Sequence, residues 1–124
     1  MNEKTYQNIF DLIQDHLPPM WKKVVLYAGY STGSFSINFH VMNMDGSYTD
    51  CHKLGISTKA QLIKLFMEIN NVIKSSRKSV NLEAWTVFTM IVENNGNMIT
   101  HFDYEDISES PIAHEKKWKE IYLV

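Results

Sequence analysis

The stretch "AWTVFTMIVENNGNMITHFDYED", residues 84–106, decides the fold. Two runs rich in β-branched and aromatic residues flank Asn95-Gly96, a dipeptide that tolerates the positive φ angles of a tight primed turn. The stretch therefore predicts a β-hairpin that closes at this dipeptide.

A second hairpin is predicted upstream, in "WKKVVLYAGYSTGSFSINFHVM", residues 21–42. Two β-rich runs are separated at Ser31-Thr32-Gly33, and apolar residues alternate with polar ones from Phe35 to Val41, as in a strand with one solvated face. Asp45-Gly46 is strong turn chemistry, so a short strand around Tyr48 to His52 is expected to pair back. These residues predict a three-stranded meander.

Three helices are predicted around the hairpins, from about Thr5 to Leu17, Thr58 to Arg77 and Ser110 to Trp118. Pro18-Pro19 ends the first. Thr58 and Gln61 have the spacing of a capping box that begins the second. Ser110 is the expected N-cap of the third, with Pro111 at its first helical position.

The element order α-β-β-β-α-β-β-α predicts an α+β fold, with an antiparallel sheet of about five strands and helices packed on it. A chain of 124 residues with 44% apolar residues is expected to form a single domain, residues 1–124. The apolar runs are too short to cross a bilayer and the N-terminus lacks the pattern of a secretory signal, so a cytoplasmic protein is expected.

Charge is unevenly distributed. The net charge is -2, but residues 80–115 contain no Lys or Arg. The acids of this block are Glu83, Glu93, Asp103, Glu105, Asp106, Glu109 and Glu115. Four of them lie within "HFDYEDISES", residues 101–110. This segment is either an exposed strand end and loop, or an interface in which Tyr104 is the anchor and the acids steer a basic partner.

Few residues suggest catalysis or metal binding. The five histidines are scattered, and Cys51 and His52 are expected on opposite faces of a strand, where they cannot hold one ion together. No catalytic residue, metal ligand or cofactor is therefore expected. Asp103 and Glu105 leave one alternative open, a metal-dependent nuclease with both carboxylates on one face.

Several motifs resemble the YezG-like immunity proteins. "WKKVVLYAGY" contains Trp21, Val24, Leu26, Tyr27 and Ala28 of a family pattern, and "AWT" at 84–86 stands where the family has Pro-Trp-Thr. "FDYEDISES" is the most specific part of the resemblance, and the late Trp118 and Tyr122-Leu123 extend it towards the C-terminus. Ala84 in place of proline, and "HEKKW" without an arginine before its tryptophan, depart from the family pattern.

The resemblance implies an antitoxin that binds the nuclease domain of a toxin exported by type VII secretion, in the cytoplasm of Gram-positive bacteria. It implies a protein partner, with no direct contact to nucleic acid or membrane and no catalysis by this chain. From charge and composition, the expected toxin-binding residues are Asp103, Tyr104, Glu105, Asp106, Glu109 and Trp118. Trp85 is expected in the core, whereas the partner of Trp118 is open between the sheet and the toxin. A general protein-binding module is the other alternative.

Overall fold

The computed structural model describes residues 1–79 and 85–124, with side chains for 1–76 and 85–124. Its elements are α1 (Glu3–Gln14), β1 (Lys23–Ser31), β2 (Ser34–Met42), β3 (Tyr48–Asp50), a 3-10 turn (Cys51–Lys53), α2 (Lys59–Ser79), β4 (Val87–Glu93), β5 (Met98–Asp103) and α3 (Pro111–Tyr122). The strands form one antiparallel sheet in the order β3-β2-β1-β4-β5. The predicted α+β fold and element order are confirmed. Glu83 of the acidic block and Ala84 of the "AWT" motif lie outside the described residues.

The sheet separates two apolar clusters. Alternate residues of β1 point to opposite faces, so Val24 and Leu26 join the larger cluster beneath α1 and α2, whereas Val25 and Tyr27 join the smaller one beneath α3. Trp85 is buried in the larger cluster, as predicted. In consequence α3 lies on the face of the sheet opposite to α1 and α2.

The helices begin at different kinds of cap. Thr58 and Gln61 form the predicted capping box, with the Thr58 N–H donating to Gln61 Oε1 at 2.8 Å and the Gln61 N–H donating to Thr58 Oγ1 at 3.2 Å. Ser110 occupies the N-cap position of α3, but its side chain makes no capping hydrogen bond. The third helix also continues one turn beyond the predicted end, Trp118, to Tyr122.

The hairpin between β4 and β5 is confirmed, but its predicted primed turn is wrong. Of the two residues at the centre of the predicted turn, Asn95 and Gly96, only Gly96 has a positive φ, 94°. The Gly96 N–H donates to Glu93 O at 2.9 Å and the Glu93 N–H to Asn97 O at 2.8 Å, which is a three-residue loop ending in a glycine bulge. Asn95 stays right-handed because its Oδ1 accepts from the Asn97 N–H at 2.9 Å.

Strand β3 ends earlier than the sequence predicts. The predicted strand reached His52, but the Asp50 side chain accepts a hydrogen bond from the His52 backbone N–H at 2.9 Å and begins the 3-10 turn. A side chain that satisfies this N–H replaces a strand partner, so the backbone turns away from the sheet. Over the ranges 1–79 and 85–124, no helix is both long and apolar enough to cross a membrane.

Candidate functional site

The acidic segment, residues 103–109, is held at four positions, two through backbone carbonyls and two through side chains. Thr86 donates from its backbone N–H to Asp103 O at 2.7 Å, and its hydroxyl donates to the carbonyl of Glu105. Ile107 is buried in the smaller cluster. Ser108 Oγ accepts from the Thr32 N–H at 3.2 Å. The segment therefore has a defined path even though most of its side chains are exposed.

The four carboxylates of this segment have few partners. Asp103, Glu105, Asp106 and Glu109 are all exposed. Among residues 1–76 and 85–124, no lysine or arginine nitrogen lies within 4.0 Å of them. His114 Nε2 lies 3.8 Å from Glu105 Oε2, a contact that is an ion pair only when the imidazole is protonated. Hydrogen bonds from the Ser108 N–H and hydroxyl lower the pKa of Asp106. Among the described residues, the carboxylates of the segment thus have no lysine or arginine partner.

A groove of about 550 Å³ separates the acidic segment from α3. It is lined by Asp103, Glu105, Asp106, Ile107, Glu109, Ser110, Ala113, His114, Lys117, Trp118, Ile121 and Tyr122. The four acids of the segment line it together with residues of α3, among them Lys117 and Ile121. The structure therefore brings together the four predicted carboxylates.

The two predicted aromatic residues have different surroundings. Tyr104 is 65% exposed and does not line the groove. Trp118 is only 2% exposed, donates from Nε1 to Thr89 Oγ1 at 2.8 Å, and packs edge-on against Tyr27 with ring centroids 4.9 Å apart. The partner of Trp118 is therefore the sheet. Trp118 positions α3 along the groove. Tyr104, in contrast, is open to solvent.

Beneath α3 the Tyr27 hydroxyl is a polar group within the smaller apolar cluster. The Tyr27 hydroxyl lies 3.5 Å from His114 Nδ1. Burial and the charges of Glu115 and Asp103 raise the pKa of Tyr27 to about 12. Glycine at position 29 leaves space for the Tyr27 ring, because a Cβ on residue 29 would lie 2.5 Å from the Tyr27 hydroxyl oxygen. The Tyr27 ring therefore has a fixed position beneath α3, where the charges of Glu115 and Asp103 act on its hydroxyl.

A second cluster of functional groups lies at the opposite edge of the sheet and was missed by the sequence interpretation. Asp50, Cys51 and His52 each place a potential ligand atom within 4.8 Å of the others. The expectation that Cys51 and His52 point apart is wrong because they lie in the 3-10 turn, with Sγ 3.5 Å from Nδ1. In the part of the chain that the structure describes, Asp103 and Glu105 belong to no such cluster.

The fold is a small α+β domain with a groove lined by four carboxylates. The sequence matches the family model of the YezG-like immunity proteins over residues 2–123. It is also 22% identical over 114 residues to the immunity protein YezG of Bacillus subtilis (strain 168), a match that covers 86% of this chain and 76% of that protein. The chain belongs to the YezG-like family of immunity proteins, which confirms the resemblance.

Proposed function

We propose that this immunity protein binds the nuclease domain of a type VII-secreted toxin in the cytoplasm and blocks its active cleft without catalysis of its own. One observation carries the proposal: four exposed carboxylates, which have no lysine or arginine partner among the described residues, line one groove. A nuclease cleft must attract a polyanion and is therefore basic, so an acidic groove is complementary to it.

The contact surface of the proposal consists of the four acids and Tyr104. Asp103, Glu105, Asp106 and Glu109 meet basic residues of the toxin, and Tyr104 packs among them as the apolar anchor. Its 65% exposure supports this role, since a tyrosine loses much apolar surface to water when it enters an interface. Trp118 contributes indirectly, by holding α3 against the sheet.

The experiment is a plasmid-degradation assay with the nuclease domain of a toxin encoded beside this gene, with Mg²⁺ present throughout. Increasing amounts of this protein are expected to stop cleavage at a fixed molar ratio. Undiminished cleavage at excess inhibitor would contradict the proposal. Cleavage by this protein alone would favour the metal-dependent nuclease with Asp103 and Glu105, and a stable complex that leaves cleavage intact would favour a general protein-binding module.

A charge-matched pair of variants tests the surface itself. Changing the four acids of the groove to amides is expected to slow association by roughly tenfold or more at low salt, because electrostatic steering is lost. The control changes the same number of acids on the opposite face of the sheet: Glu3 and Asp11 of α1, Asp15 at its C-cap, and Glu68 of α2. Equal association rates for the two variants would exclude the acidic segment as the contact surface.

A further inference from the structure

The turn after β3 places three different ligand types at one point. Asp50 ends the strand, Cys51 begins the 3-10 turn, and His52 follows. His52 Nδ1 lies 2.9 Å from Asp50 Oδ1 and 3.5 Å from Cys51 Sγ. We propose that these three side chains bind a Zn²⁺ ion at the β3 edge of the sheet, independently of toxin binding.

The distances fit a tetrahedral ion. Zinc bonds of about 2.3 Å to sulfur and 2.0–2.1 Å to nitrogen place the two ligand atoms roughly 3.5 Å apart. This is the separation between Cys51 Sγ and His52 Nδ1. The carboxylate and imidazole are a few tenths of an ångström closer than in such a complex, so ion entry requires only a small opening between Asp50 and His52. Thiolate, imidazole and carboxylate together are a ligand set that suits zinc.

The surrounding residues already orient the ligands. Asp50 Oδ2 accepts from Asn38 Nδ2 at 3.1 Å and lies 3.3 Å from His40 Nε2, which leaves Oδ1 directed at His52. His40 itself is 6% exposed, and its Nδ1 has no hydrogen-bond partner among the described residues. The His52 ring packs edge-on against Phe66, with centroids 6.3 Å apart. Such outer contacts hold first-shell ligands in a binding orientation.

Access to the site is from one side. Cys51 is buried at the back of the turn, whereas the His52 side chain is 48% exposed at its mouth. The ion enters past His52, and a water molecule takes the fourth position, as in zinc sites with three protein ligands.

Binding has a defined proton balance. The Cys51 thiol, which now donates to Asn38 Oδ1 at 2.9 Å, loses its proton to solvent and forms the sulfur–zinc bond. His52 binds through Nδ1, so its remaining proton moves to the solvent-facing Nε2. Zinc is not reduced or oxidised. One proton is released for each ion bound, and the charges of Asp50 and the Cys51 thiolate neutralise the ion.

The test uses the full chain, freed of metal with a chelator and titrated with Zn²⁺ and, as a spectroscopic probe, Co²⁺. We expect one equivalent of Zn²⁺ to bind, one proton to be released, and the Co²⁺ complex to show thiolate-to-metal charge-transfer absorption. Cys51→Ser should abolish that absorption, and His52→Gln should weaken Zn²⁺ binding at least about tenfold. His101→Gln, an exposed histidine at the other edge of the sheet, is the matched control and should bind normally.

Each variant is checked for folding by circular dichroism before the titration. His52 is exposed, so its replacement keeps the core intact, and serine at position 51 retains a donor for Asn38. The proposal is overturned if the metal-free protein binds no Zn²⁺, if the Co²⁺ complex lacks thiolate absorption, or if His52→Gln binds Zn²⁺ as tightly as His101→Gln.

Discussion

The two edges of the sheet use carboxylates in opposite ways. At the β3 edge, Asp50 accepts hydrogen bonds from the backbone and ring of His52 and from Asn38, and it also contacts His40. At the β5 edge, the backbone of the acidic segment is fixed, but its carboxylates have almost no partners. An ionised carboxylate with several donors stabilises the fold, whereas one left without partners keeps its charge available to another molecule.

The two edges are also held in place by different interactions. The β3 edge depends on a carboxylate network, while the β5 edge depends on backbone hydrogen bonds to Thr86 and on the packing of Trp118. The four acids can therefore be altered without unfolding the region that carries them. Mutations that distinguish stability from binding follow from this difference.

The largest effect on stability is expected from Trp118→Ala. The substitution removes a buried indole, its hydrogen bond to Thr89 and its packing against Tyr27, and should lower the free energy of unfolding by about 3–5 kcal/mol in urea denaturation. Ile112→Ala on the same helix is the control, since Ile112 is 87% exposed and its truncation should change stability by less than about 0.5 kcal/mol. Similar losses for both variants would mean that Trp118 does not anchor α3.

One substitution at each edge of the sheet tests whether the carboxylates at the β3 edge contribute more to stability than those at the β5 edge. In metal-free protein, Asp50→Asn should lower the free energy of unfolding by about 1–3 kcal/mol, because buried donors lose a charged acceptor. Asp103→Asn should leave it within about 0.5 kcal/mol, because Asp103 is exposed and without an ion pair. Equal losses in urea denaturation would remove the distinction between the two edges.

The contribution of Asp50 to stability should depend on pH. Burial acts to raise the pKa of Asp50, but hydrogen bonds from His52 and Asn38 outweigh it and hold that pKa at about 2, below the ordinary 3.8. The folded-state pKa is depressed, so the stabilisation is complete above about pH 4 and is lost as pH falls towards 2. It amounts to about 2 kcal/mol. Wild type and Asp50→Asn should converge in stability across this window in a chelator-containing buffer; a constant difference would contradict the assignment.

Local sequence patterns were sufficient for most of the fold. Alternating apolar residues in β2 and the turn residues Asp45-Gly46 and Asn95-Gly96 act over a few positions, so hairpins can be predicted without tertiary information. The acidic segment was also predictable, because uncompensated charge is visible in the sequence. The groove beside the segment was not predictable from the sequence. Three lysines surround Trp118 in α3, and the face of α3 that packs is determined by the sheet beneath it.

The cluster at the β3 edge was missed for a specific physical reason. A strand and a 3-10 turn place Cys51 and His52 in different relative positions, and the choice between them depends on one side-chain hydrogen bond from Asp50 to the His52 N–H. An Asp two residues before a potential break in a strand is the signal that could have indicated this turn.

The smallest loss among the destabilising substitutions is expected from Thr86→Val, which tests whether backbone position matters at the β5 edge without any change in charge. Valine keeps the shape and strand propensity of threonine but removes the hydroxyl that donates to the Glu105 carbonyl, so stability should fall by about 0.5–1.5 kcal/mol in urea denaturation. Toxin binding should weaken as well, because carboxylates on a loosened segment lose orientation before contact. Thr100→Val on β5 is the control, as the Thr100 hydroxyl makes no hydrogen bond within the described residues. If Thr86→Val loses stability but binds the toxin as tightly as Thr100→Val, charge alone determines recognition and the fixed path of the acidic segment serves only the fold.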